Sequence, residues 1–231
     1  MIYAYDIISD LNLTEESVFN WEGKPTSLYC IVAGNVSSDI HVLYKTIKHL
    51  STLYQGVFFI DGFLENTIIA EKDLVIQEIT KIFATIKNAV YLHNNVVIMD
   101  GIAIVGVNGW FGNKAIDADT ELQLKINRYD DLAYLQKTVE KLQLHIDVKQ
   151  IVVISNSVPS TDLYFGEKSD FTNTDVPLSY VIESDTEQKI HTWIFGSHKK
   201  IVDTKINSIN YFNNPCYDSN PYYPKRINIL D

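Results

Sequence analysis

Six short segments carry polar or small residues directly behind apolar runs, the place where layered α/β folds gather their chemistry. In chain order they are Ser9-Asp10-Leu11-Asn12-Leu13, Ala33-Gly34-Asn35, Asp61-Gly62-Phe63-Leu64-Glu65, Ser155-Asn156-Ser157-Val158-Pro159-Ser160, Trp193-Ile194-Phe195-Gly196-Ser197-His198 and Asn213-Asn214-Pro215-Cys216-Tyr217. Carboxylates and imidazoles at such ends hold divalent cations or move protons, whereas amides and hydroxyls offer neutral oxygens. Asp10 could serve as a ligand, but an aspartate there also caps the following turn. His198 could join it, although a single imidazole without a second ligand reads as a hydrogen-bonded turn residue. Asp61 and Glu65 could form a carboxylate site with Asp10. His191 reads as an exposed strand position, and His41, His49, His93 and His145 fall outside these segments. No Ser-His-Asp arrangement stands at a strand-to-helix elbow, and no glycine loop of the P-loop or dinucleotide type appears.

The elements that must position these residues are legible from periodicity. Ile2 to Ile8, Leu28 to Ala33 and Val57 to Ile60 are short β-rich runs. Ser37 and Ser38 are N-cap candidates for a helix carrying Ile40, Leu43, Ile47, Leu50 and Tyr54 on one face. A second helix carries Leu74, Ile79, Ile82, Phe83 and Ile86. Val96 to Met99 and Ile102 to Val105 pair around Asp100-Gly101, a hairpin-turn signal. A longer helix after Asp119 places Leu122, Ile126, Tyr129, Leu132, Leu135, Val139 and Leu142 on one apolar stripe. Ile151 to Ile154 lacks polar alternation and predicts a strand buried on both faces. Residues 156 to 177 read as a long loop. Ser179 to Ile182, Thr192 to Phe195, Lys200 to Thr204 and Ser208 to Tyr211 then read as strands. Strand–helix alternation followed by strands implies an α/β fold with mixed sheets, and no linker divides residues 1–231 into two domains.

Composition narrows the function classes. Nineteen Lys and Arg against 29 Asp and Glu give a net charge of −10, a poor match to nucleic acid or an anionic membrane. Apolar residues at 46% and charged residues at 21% predict an ordinary core. No apolar run reaches the ~18–20 residues of a membrane-spanning helix. Asp6 and Asp10 interrupt the apolar start, so no secretory signal is expected, and the chain is expected to be cytoplasmic where it is made. Cys30 and Cys216 lack metal-finger spacing and predict two buried thiols in a reducing compartment. Frequent Ile, Asn, Lys and Tyr suggest an AT-rich genome, as many bacteria and bacteriophages have.

Taken in order, the six segments resemble the motifs of the calcineurin-like metallophosphoesterase family. Those are a strand ending S-D-L-H-L, an A-G-D turn, a G-N-H-[E/D] turn, a strand ending T-H-H-x-P, W-I-x-G-H-x-H, and a late N-P-x-G-Y. The match runs from about residue 2 to about residue 224. It implies two mixed β-sheets packed as a sandwich flanked by helices, with Asp10, Asn35, Gly62, Asn156 and Gly196 around one shallow depression. The family holds two divalent metals with an Asp and a His from the first motif, a bridging Asp, an Asn, and three later His. Here Asp10 keeps the first position, but Asn12 stands for the histidine and Asn35 for the bridging aspartate. Phe63 and Leu64 replace the third-motif asparagine and the histidine that is the family's usual proton donor. Asn156 and Ser157 replace the histidine pair, and Ser197 and Lys199 the last two histidines.

Two dications need anionic and imidazole ligands to hold them and to acidify a bridging water. Neutral amides, two apolar side chains and a lysine do not supply that set. The expectation is a pseudoenzyme of this fold with no cofactor and no metal, acting as a structural or protein-interaction subunit. Its partners would be other proteins, in a larger assembly such as a phage virion. Tyr211, Phe212, Tyr217, Tyr222 and Tyr223 suit either contact-making or packing of the chain's end on the core. The alternatives are a weak or rebuilt metal-dependent phosphoesterase, and an accessory subunit of a nucleic-acid enzyme that docks on its catalytic partner.

Overall fold

The computed structural model describes residues 2–17, 24–110, 117–163, 177–216 and 222–230. The first sheet is built from β1 (Ile2–Ile8), β2 (Tyr29–Ala33), β3 (Gly56–Ile60) and β4 (Ala89–Tyr91), all parallel, with β11 (Lys225–Leu230) antiparallel beside β1. The second sheet runs in the order β5-β6-β7-β8-β10-β9. Here β5 is Asn95–Met99, β6 Ile102–Val107, β7 Gln150–Ser155, β8 Ile190–Phe195, β9 Asp203–Ile206 and β10 Ile209–Phe212. Its four inner strands are parallel, and both edge strands are antiparallel. The two mixed sheets with flanking helices are the α/β architecture expected from the sequence.

Burial explains the layering. Between the sheets lie Tyr5, Ile7, Ile31, Phe58, Ile60, Ile104, Val152, Ile154 and Ile194. The outer face of the first sheet packs through Val32, Val57 and Phe59 on α1 (Ile40–Leu53) and α2 (Lys72–Phe83). The outer face of the second packs through Val105, Val153 and Trp193 on α3 (Ala118–Leu144). Every residue of β6 and β7 is buried, which accounts for their unbroken apolar runs. Asp100 and Gly101 both adopt positive φ (51° and 84°), the conformation a two-residue hairpin requires.

Several local expectations are corrected. Asp39, not Ser37 or Ser38, caps α1: its carboxylate accepts from the His41 and Val42 N–H groups at 2.7 and 2.9 Å. Ser37 instead accepts from the Asp39 N–H and donates to the Leu13 carbonyl. The segment expected as a strand at Ser179 to Ile182 is a 3-10 turn over Leu178–Ser184, which buries Leu178 and Val181 against the α3 layer. Its apolar residues three apart suit that short turn as well as they suit a strand. The strand expected at Lys200 to Thr204 begins later, at Asp203. On α2, Leu74 faces solvent, and Ile86 is buried just beyond the helix. On α3 the buried stripe is Leu124, Leu132, Leu135, Val139 and Leu142, whereas Leu122, Ile126 and Tyr129 are exposed. Cys30 is buried as expected, but Cys216 is only half-buried. Tyr211 and Tyr222 are packed into the body, Tyr223 is exposed, and Tyr217 lies outside the described residues.

The sheets approach each other closely at Gly196, just after β8. A Cβ there would sit 2.1 Å from the Ala33 carbonyl oxygen and 2.9 Å from Asn156 Nδ2. Gly196→Ala should therefore destabilise the protein by about 2–4 kcal/mol, since the obstruction is backbone that cannot yield cheaply. Thermal and urea melts read this directly, and a melt within 0.5 kcal/mol of wild type would show that the sheets are free to part there.

Candidate functional site

The ends of β1, β2, β3, β7 and β8 meet, and each turn is held by a side chain from another. Asp10 Oδ1 accepts from Asn35 Nδ2 at 2.8 Å and from the Ser197 N–H at 3.0 Å. Asn35 Nδ2 also donates to Ser197 Oγ at 2.9 Å, and Asn35 Oδ1 accepts from the Leu64 N–H at 2.9 Å. Ser197 Oγ donates to Asn156 Oδ1, which also accepts from the Phe63 N–H, while Asn156 Nδ2 donates to the Ala33 carbonyl. Asp10 thus binds two remote turns rather than capping its own. Asp10, Asn35, Asn156 and Ser197 form one hydrogen-bonded knot spanning both sheets. An open depression of about 380 Å³ is lined by Asp10, Asn35 and Ser197, by Phe63, Leu64 and Thr67, and by Asn12, His198 and Lys199. Of the five residues expected around it, Asp10 and Asn35 line it, whereas Gly62, Asn156 and Gly196 are buried and do not.

The backbone at this knot is unusual. Asp10, Asn12, Asn35 and Ser197 all lie in the left-handed region, with φ between 49° and 56°. Each such residue carries a cost on the order of 1 kcal/mol, smallest for Asn and Asp. The strain is held by side-chain bonds that over-determine the turns.

The remaining expected site residues divide. Asn12 is exposed and bonds its neighbour's backbone, Nδ2 to the Asp10 carbonyl at 2.6 Å. Phe63 and Leu64 are half-buried, and Phe63 packs toward Ile69, Trp110 and Leu124. Ser157 is buried and does not line the depression, and its N–H donates to the Asn108 carbonyl. Lys199 is exposed at the depression. His198 is buried, with Nδ1 within 2.7 Å of the Lys200 carbonyl, and burial pushes its pKa below the ordinary value.

Asp61 and Glu65 do not join Asp10 in a carboxylate site. Glu65 accepts from four backbone N–H groups, those of Asn35, Val36, Ser37 and Gly62. Burial pushes its pKa up to about 7 against those donors. Its role is to hold the Asn35 turn, a function the sequence hides because the donors are main-chain groups. Asp61 makes a buried 2.8 Å pair with His93 and accepts from Asn66. Burial is the largest influence and pushes Asp61 up, but the His93 charge and the hydrogen bonds from His93, Tyr91 and Asn66 together outweigh it and leave the carboxyl below its usual range. Sequence spacing gave no signal for this pair, whose members meet only because β4 returns beside β3.

The donor set can be tested against two divalent metals. Flipping the Asn35 amide would face its oxygen to the Asp10 carboxylate and its N–H to the Leu64 N–H, so the observed orientation is fixed. The hydrogen-donating side of Asn35 therefore points at the centre, where a bridging ligand would need an oxygen. Asn156 has its oxygen committed to Ser197 and Phe63. Among the described residues no group of three or more His, Cys, Asp or Glu is placed to hold a metal ion. These residues do not fit a two-metal centre. One feature runs the other way: Asp10 Oδ2 is sealed from solvent with no well-formed hydrogen bond.

No family model matches the sequence, and no curated protein matches it. Solved structures share its fold. The phosphopantetheinyl hydrolase of Mycobacterium tuberculosis superposes with a TM-score of 0.60 at 13% identity, over 93% of this chain and 89% of that one. An anchor in the inner membrane complex of Plasmodium gives 0.55 at 11%, over 93% and 71%. A putative 5'-nucleotidase of Staphylococcus aureus gives 0.54 at 10%, over 93% of this chain and 49% of its own. The fold is metallophosphoesterase-like. At these identities the likeness is one of fold, and it leaves activity to the site.

Asp10 makes the knot sensitive to pH. Burial raises its carboxyl from 3.8 to about 6, against the hydrogen bonds from Asn35 and Ser197. The unfolded chain therefore loses this proton first, and the stability carried by the neutral group is complete below 3.8 and lost as pH rises through about 6. Asp10→Asn keeps an acceptor for Asn35 and Ser197 and removes the buried charge. It should melt higher than wild type above pH 6 by up to ~3 kcal/mol, with the gap closing toward pH 4. A variant that melts lower above pH 6 would show that the ionised carboxylate is stabilised by something bound to it.

Proposed function

We propose that the chain is a degenerate, non-catalytic relative of the calcineurin-like metallophosphoesterases, kept for its shape and its surfaces as a structural or protein-interaction subunit. The observation that carries this reading is the Asn35 amide, which turns its N–H face to Asp10 and Ser197 where a bridging carboxylate would have to coordinate. The supporting chemistry is that Asn35, Asn156 and Ser197 are hydrogen-bonded to one another, to Asp10 and to main-chain groups, which leaves no set of free anionic donors for a dication pair. Other proteins are its partners in this reading. The net charge of −10 speaks against direct contact with nucleic acid, and among the described residues no helix is long and apolar enough to cross a membrane. An AT-rich composition supports extending the reading to a phage virion. Docking on the catalytic subunit of a nucleic-acid enzyme is the same role with a different partner.

The buried Oδ2 of Asp10, which has no well-formed hydrogen bond, supports a second reading, a weak phosphoesterase with a single cation. Purification in manganese, followed by metal analysis and hydrolysis of an aryl phosphate ester, separates the two. The expected result is sub-stoichiometric metal and no turnover above a buffer blank, for wild type and Asp10→Ala alike. Stoichiometric metal with turnover that Asp10→Ala abolishes would overturn the non-catalytic reading.

A further inference from the structure

Helix α3 is apolar on two opposite faces. Its inner face buries Leu124, Leu132, Leu135, Val139 and Leu142. Leu122, Ile126 and Tyr129 are 60%, 44% and 55% exposed, and Ala133 is exposed as well. At 100° per residue these four lie roughly opposite Leu124 and Leu135. Packing among the described residues therefore gives no reason for them to be apolar. Their spacing is four, three, four, the seam of a two-helix coiled coil in which Ile126 and Ala133 take the a positions and Leu122 and Tyr129 the d positions. In that register Lys125 falls at g and Asp130 at e, on either flank of the seam.

We propose that this face of α3 docks against its own counterpart in a second copy of the chain, as a short parallel helix pair about a two-fold axis. The inference rests on the reading of the chain as an interaction protein and names one partner for it. The charge pattern selects both occupant and direction. In a parallel pair a g residue reaches the e residue five positions on in its partner, so Lys125 meets Asp130 of the second copy, and the two-fold axis makes the contact twice. An antiparallel pair about the same seam sets g against g and e against e, which gives Lys125 no carboxylate. The seam is short, because Asp119 precedes it and Gln136 and Glu140 follow it at a and d positions. The inner face has its own complete core, so the monomer folds without the partner and dimerisation depends on concentration. The acidic residues at both ends of the seam make it a poor surface for an anionic lipid or a nucleic acid.

Analytical ultracentrifugation of the full chain across a concentration series tests this. The expected result is a reversible monomer–dimer equilibrium that Ile126→Asp weakens about tenfold or more, by placing a charge in the apolar seam, with the thermal melt of the monomer unchanged. Lys125→Asp and Asp130→Lys should each weaken the dimer several-fold, and the double swap should restore it. A monomer at every concentration, or a dimer that Ile126→Asp leaves intact, would overturn the proposal. A dimer lost in Ile126→Asp but indifferent to the charge swaps would overturn the parallel arrangement. Aryl phosphate hydrolysis on the same preparations separates the two readings. Turnover abolished by Asp10→Ala sinks the non-catalytic assignment and leaves the dimer standing, and absence of both turnover and dimer sinks only the helix pair.

Discussion

The side chain of Asn156 is the point on which the two sheets are joined. Its amide donates to a carbonyl at the end of β2 and accepts from a hydroxyl beyond β8 and from an N–H beyond β3. Space around it is set by glycines: a Cβ on Gly34, Gly62 or Gly196 would come within 2.5, 2.8 or 2.9 Å of Asn156 Nδ2. Glycine at these three turns is thus a packing requirement, and only at Gly34 does a positive φ add a second reason. With the backbones drawn in this closely, the turn residues can reach one another across the sandwich.

A centre built of amides obeys different rules from one built of carboxylates and imidazoles. Several anionic ligands crowded together repel one another unless a cation is present, so such a site depends on its metal for stability. Asn35 donates to Ser197, Ser197 to Asn156 and Asn156 to the Ala33 carbonyl, a chain of neutral groups that needs no ion to balance it. Asp10 is the exception within the knot. Its carboxylate has kept its place, and burial answers by raising its pKa instead of supplying a counter-charge. The four left-handed turn residues show that the local backbone is still held away from its lowest-energy conformation. Strain of that kind is maintained here by hydrogen bonds within the protein, among them the four main-chain donors that Glu65 gathers.

The fold was legible wherever burial on a sheet face dictated residue type. β1, β2, β3, β7 and β8 announced themselves as apolar runs, and the Asp100-Gly101 turn named its own conformation. β4 is three residues long and β11 is flanked by polar positions, so neither offered a period to read. The residues of the knot were legible from order and spacing, because turn chemistry at strand ends is local. What joins them was not. Glu65 acts on backbone groups, and the Asp61–His93 pair forms beyond the ends of two strands adjacent in space, with its members 32 positions apart in sequence. The reading of α3 went wrong for an instructive reason: one stripe was drawn through apolar residues that belong to two faces. A helix apolar on both sides blurs the periodicity on which such a reading rests.

That double-faced helix is set apart from the strand-end knot. The knot sits at the strand ends and the exposed stripe of α3 lies on the outer layer, so the two draw on different residues and different forces. Replacing carboxylates and histidines with amides at the strand ends removes charge without disturbing the layers, because the sandwich interior and the two helix layers bury their own apolar surfaces. Stability and surface recognition are then free to persist while the strand-end chemistry changes. The converse does not hold to the same degree. A substitution that opened the sheets at Gly196 would loosen the Ala33 and Asn156 contacts together, and with them every turn that Asp10 and Asn35 tie down. The strand-end cluster is therefore retained by the architecture whether or not it reacts with anything, which is why its hydrogen-bond directions say more about function than its residue positions do.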